Sequence, residues 1–167
     1  MKKLVATLTL ALLAALALAV SPANATHSNG QGPQMDLAAG TGQLDAAGLA
    51  LKAHVNAMSG PSGENPQGDF YLEAAISSFP TPFHVRGGVT CLNVVGNRAT
   101  VGGVIERSDH PAFPEGSGIF LFIRDDDEGV GDGIGAGTNA VPPQTCEFLE
   151  PGLPNTQGNF IVHDATP

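Results

Sequence analysis

Val95-Gly96-Asn97-Arg98 narrows the folds open to this chain more than any other feature. A Gly-Asn pair between two β-branched runs predicts a two-residue hairpin, with Gly96 supplying the positive φ of a type II′ turn. If Val95 pairs with Arg98, then Val94 faces Ala99, Leu92 faces Val101 and Cys91 faces Gly102. Side chains alternate along a strand, so Leu92, Val94, Ala99 and Val101 share a core surface. Cys91 falls on the other surface, beside Val89 and Val104. Gly102 and Gly103 thin the second strand where a disulfide, a sheet bend or a ligand comes close.

The same alternation recurs. Leu49, Leu51, Ala53, Val55 and Ala57 share one face of a run whose other face carries Lys52, His54 and Asn56. Phe70, Leu72, Ala74 and Ile76 oppose Asp69, Tyr71 and Glu73 in the next run. One buried and one wet face is the mark of antiparallel strands. Strands are expected near Met35–Gly40, Gly48–Ala57, Asp69–Ile76, Phe83–Val95, Arg98–Arg107, Gly118–Arg124, Gln144–Leu149 and Asn159–His163. Turn chemistry separates them, as in Ser59-Gly60-Pro61-Ser62-Gly63, Pro80-Thr81-Pro82 and Pro151-Gly152-Leu153-Pro154. The Ala-rich stretch from Leu37 to Leu51 is a poor helix, because Gly40, Gly42 and Gly48 each cost about 1 kcal/mol there. The expected fold is a single all-β antiparallel domain of about eight strands, a small barrel or a sandwich.

The N-terminus indicates a compartment. Lys2-Lys3, an apolar run from Leu4 to about Val20 and Ala23-Asn24-Ala25 have the layout of a secretory signal peptide cleaved before Thr26. An uncleaved anchor is the alternative. The domain boundaries follow: residues 1–25 signal peptide, 26–34 a loose polar leader, 35–167 a secreted β-domain. Cys91 and Cys146 are the only cysteines, and in an oxidising compartment a disulfide is the economical use of them. It should contribute about 4 kcal/mol in the chain-entropy model. A nucleophilic thiol would need a histidine base, and the CxxC spacing of a zinc or redox pair is missing.

Charge excludes some partners. The chain carries 7 Lys and Arg against 16 Asp and Glu; without Lys2 and Lys3 the net charge is −11, from five cations and 16 acids. Lys52, Arg86, Arg98, Arg107 and Arg124 are scattered along the sequence, a poor start for a phosphate-tracking patch. Neither nucleic acid nor an anionic membrane is expected as a partner.

One acidic cluster stands out: Asp125-Asp126-Asp127-Glu128-Gly129-Val130-Gly131-Asp132. Oxygen ligands on a glycine-containing loop suit calcium, with Asp125, Asp127 and Asp132 as the candidate ligands. The spacing departs from an EF-hand, since Gly129 stands where an oxygen ligand belongs and no glutamate fills the twelfth position. The competing reading is a solvated loop at the end of a hydrophobic strand. The histidines are His27, His54, His84, His110 and His163, with no H-x-H or H-E-x-x-H among them. Ser77 and Ser78 lack a G-x-S-x-G setting. Glu106 with Asp109, or Glu147 with Glu150, would make a glycosidase pair only if folded about 5–9 Å apart.

Gly88-Val89-Thr90-Cys91-Leu92-Asn93-Val94-Val95-Gly96-Asn97-Arg98-Ala99-Thr100-Val101-Gly102-Gly103 and the ending Gly158-Asn159-Phe160-Ile161-Val162-His163-Asp164-Ala165 resemble a group of small secreted proteins of high-GC Gram-positive bacteria. Gly40-Thr41-Gly42, Asn56-Ala57 and the Asp125–Asp132 loop belong to the same pattern. The resemblance implies a single exported β-rich domain and supplies no activity or catalytic residue. Together these features predict an exported, non-enzymatic domain binding an extracellular protein or a small ligand, without a cofactor. A calcium-stabilised module and an unrecognised enzyme are the alternatives.

Overall fold

The computed structural model describes residues 35–46, 48–79, 81–126, 131–147 and 153–165. Nine strands run along them: β1 Asp36–Ala46, β2 Leu49–Ser59, β3 Gln67–Ile76, β4 Phe83–Val95, β5 Arg98–Ser108, β6 Gly118–Arg124, β7 Gly133–Asn139, β8 Leu153–Pro154 and β9 Gln157–His163. All pair antiparallel in one sheet of order β8-β7-β6-β5-β4-β3-β2-β1-β9. The first seven therefore form a meander, each beside its neighbour in sequence. The sheet curls into a half-barrel around its own apolar face, and β1 also approaches β4 and β7.

Alternation explains why the curl has an inside. Leu51, Ala53, Val55 and Ala57 of β2 are buried with Phe70, Leu72 and Ala74 of β3, while Lys52, His54, Asn56, Asp69 and Tyr71 face water. Phe70, Val85, Val101, Ile105, Leu121, Ile123, Ile134 and Phe160 complete the fully covered core. Each such side chain contributes about 1.5–3 kcal/mol on burial. At one end, between the β3–β4 and β5–β6 connections, Phe79, Phe83, His110 and Phe113 stack together, Phe83 and Phe113 with centroids 4.7 Å apart.

The β4–β5 hairpin has the expected register, from Val95↔Arg98 to Cys91↔Gly102. Gly96 has φ +59, and Asn97 does not share it, as a type II′ turn requires. Cys91 and Cys146 are disulfide-bonded, with Cα atoms 5.7 Å apart. A Cβ on Gly102 would strike the Cys91 sulfur and, at 2.7 Å, Pro143; one on Gly103 would strike Phe70. The paired glycines thus admit the disulfide on one face and a core aromatic on the other.

Three expectations change. Val89 packs against the core, because a bulge between Val89 and Cys91 inserts Thr90 and reverses the alternation. Gln144–Glu147 is not a strand: Thr90 Oγ1 donates to the Pro143 carbonyl (2.6 Å) and Cys146 is tied to Cys91, so the segment lies over the sheet. Leu149, the end of that expected run, lies outside the described residues. Gly133–Asn139 is a strand despite its three glycines, two of which lie opposite aromatic rings: Gly135 pairs with Phe122 and Gly137 with Phe120. Cross-strand aromatics restore packing that glycine lacks.

Candidate functional site

Asp125 and Asp132, on either side of the undescribed residues 127–130, tie β9 across the seam of the half-barrel. Residues 153–163 bridge both edges of the sheet: the Asn155 N–H donates to the Asp132 carbonyl (2.6 Å) beside β7, and the Thr156 N–H to the Gln43 carbonyl (2.7 Å) beside β1. Beyond that point β9 pairs with β1 alone, leaving the N–H groups of Phe160 and Val162 directed away from the ladder. Carboxylates receive them. Phe160 N–H donates to Asp132 Oδ2 (2.7 Å) and Val162 N–H to Asp125 Oδ2 (2.9 Å). The other Asp132 oxygen accepts the Asp126 N–H at 2.9 Å, and Asp132 is fully buried.

Two more acids hold the C-terminal segment. Gly96 N–H donates to Asp164 Oδ2 (2.8 Å) and Ala165 N–H to Asp36 Oδ1 (3.0 Å). Burial pushes the Asp36 carboxyl above the usual value, opposed by the Ala165 hydrogen bond. Arg124 ion-pairs with Asp126 and donates to the Gly131 carbonyl (2.6 Å). Of the three candidate calcium ligands, Asp125 and Asp132 thus serve β9, and Asp127 lies outside the described residues. Among the described residues no group of three His, Cys, Asp or Glu side chains is arranged to hold a metal ion.

A different constellation lies on the outer face. Register aligns Thr41, His54, Tyr71, Arg86 and Arg107 across β1 to β5, each directly opposite the next. Hairpin pairing has brought together three of the five cations, Lys52, Arg86 and Arg107, that are scattered in sequence. Tyr71, His84, Arg86, Arg107, Asp109 and Glu115 line a shallow cleft of about 280 Å³. Tyr71 is 40% exposed and stacks on His84, with centroids 6.0 Å apart and planes 23° apart.

His84 is held at two points. Its backbone N–H donates to Asp109 Oδ1 and its ring Nδ1 meets Oδ2, both at 2.7 Å. The backbone hydrogen bond, then the ring contact, holds the Asp109 carboxyl below its usual value. That arrangement orients an imidazole as a base would require. The cleft's aliphatic hydroxyl, Ser108, is committed to His110, donating to its carbonyl and accepting its N–H. Arg86 and Arg107, by contrast, have no ion-pair partner among the described residues. Of the histidines considered from sequence, His54 and His84 do share the outer face, whereas His163 ends β9.

Tyr71, Arg86, Arg107 and Asp109 were not legible as a group, because their spacing in sequence follows hairpin lengths and two bulges and matches no motif. Known proteins add no assignment: no family model, curated protein or solved structure matches the chain.

Proposed function

We propose that the domain is an exported, non-enzymatic binding module whose Tyr71 cleft takes a small ligand carrying a carboxylate, sulfate or phosphate group. The Arg86–Arg107 pair carries this reading. Like charges directly opposite on neighbouring strands destabilise a sheet. In a chain with 16 acids and a net charge of −9, counter-ions are plentiful, yet neither arginine has one among the described residues. A guanidinium fork matches an oxyanion in geometry and charge. The Tyr71 and His84 rings offer flat apolar area beside it. Export is supported by the N-terminal segment and by a disulfide of the kind that persists outside the cytosol.

The test is an amide chemical-shift titration with sulfate, phosphate and glucuronate. Shifts centred on Tyr71, His84, Arg86 and Arg107, lost in both Arg86→Gln and Arg107→Gln, are expected. Shifts spread evenly over the surface, or unchanged in the two variants, would remove the cleft as a binding site.

A further inference from the structure

The Tyr71 cleft continues into a second depression, and we infer that the ligand is an acidic oligosaccharide in which charged and uncharged sugars alternate. This deepens, and rests on, the reading of the cleft as an anion site. The second depression, about 440 Å³, is lined by Thr41, Gln43, Lys52, His54, Tyr71 and Gln157 among others. Tyr71 belongs to both. The row from Thr41 to Arg107 crosses four strand spacings, roughly 19 Å. That length exceeds any monosaccharide.

The chemistry changes along the row. At the β4–β5 end two guanidinium groups without an ion pair among the described residues share the cleft with Asp109, which is engaged by His84, and with Glu115. Towards β1 the charge is cancelled, because Lys52 Nζ pairs with Glu73 Oε1 at 3.2 Å. Thr41, Gln43, His54 and Gln157 there offer both donors and acceptors, which suits sugar hydroxyls and amides. Tyr71, the chain's single tyrosine, presents a flat face at the junction. A polymer charged at every unit would press anions against Glu73 and Asp69, which flank Tyr71 two residues to either side on β3. Spaced charge avoids that repulsion, which favours an alternating acidic glycan over a nucleic acid.

Calorimetric titration with glucuronic acid, hyaluronan tetrasaccharide and chitotetraose tests this. The tetrasaccharide should bind at least about tenfold tighter than glucuronic acid, the return on two or so added net hydrogen bonds, and chitotetraose weaker than the tetrasaccharide. A Gln43→Ala, His54→Ala double variant should lose that gain and keep glucuronic acid binding, which also shows that it is folded. Equal affinity for the monosaccharide and tetrasaccharide would overturn the extended track while leaving the anion site. Undiminished tetrasaccharide binding by the double variant would do the same, as would tighter binding of a single-stranded oligonucleotide. Loss of glucuronic acid binding in the wild-type protein would overturn both readings.

Discussion

Asp132→Ala should destabilise the domain by about 3 kcal/mol, although the residue touches neither the cleft nor the disulfide. The side chain is fully buried, and its two oxygens accept the N–H groups of Asp126 (2.9 Å) and Phe160 (2.7 Å). Alanine leaves both donors without an acceptor, at about 1–3 kcal/mol each. Removing a buried carboxylate also relieves its desolvation, which offsets part of that loss. Against a total stability of about 5–15 kcal/mol the remainder is large. Asp132→Asn keeps one carbonyl acceptor but turns an NH₂ towards a second N–H, so it should cost about 2 kcal/mol. Urea unfolding measures both, read as a lower midpoint at constant slope. Hydrogen exchange at the Phe160 amide reports the seam directly, and should accelerate before that of Val55 or Leu121 in the core. A loss below about 1 kcal/mol with Phe160 protection intact would show that the carboxylate does not close the barrel.

Removing the disulfide with Cys91→Ser and Cys146→Ser should cost about 4 kcal/mol for a separation of 55 residues, measured by the same unfolding assay. Asp127→Ala in saturating calcium should move the melting temperature by less than about 2 °C, the range of ordinary surface substitutions; a larger fall would make the acidic turn an ion site. pH separates two other carboxylates. Asp109, held below the ordinary value of 3.8 by His84, contributes stability above that pH and loses it as pH falls through its folded value. Asp109→Asn should therefore flatten the acid limb of the stability curve. Asp36 has the opposite sign: its carboxyl is raised by burial, so the stability it contributes below pH 3.8 disappears as pH rises through the raised value. Asp36→Asn should gain on the wild-type protein between that range and neutrality.

Alternating runs made β2 and β3 readable in the chain, because a strand with one wet face writes its period of two into the sequence, whereas β6 was readable only as a short apolar run between turn signals. The Gly96-Asn97 turn specified a register down to Cys91↔Gly102, since two-residue hairpins leave no slack. β7 was not readable: its glycines become a strand only through pairing with β6, where Gly135 and Gly137 lie opposite Phe122 and Phe120. Val89 went to the core side because a bulge costs one residue and leaves no local mark. The acidic turn was conspicuous in sequence, but its work on the Phe160 and Val162 amides depends on a strand about 30 residues away in the chain.

By itself the sequence determined an all-β antiparallel chain, the β4–β5 hairpin and the pairing of its two cysteines, for these follow from local periodicity, turn chemistry and the number of thiols. Only the tertiary structure decided that one sheet curls on itself, that carboxylates close its seam, and that Tyr71, Arg86 and Arg107 meet on its outer face. Contacts between residues distant in sequence depend on the sum of every hairpin register between them, and no local pattern carries that sum.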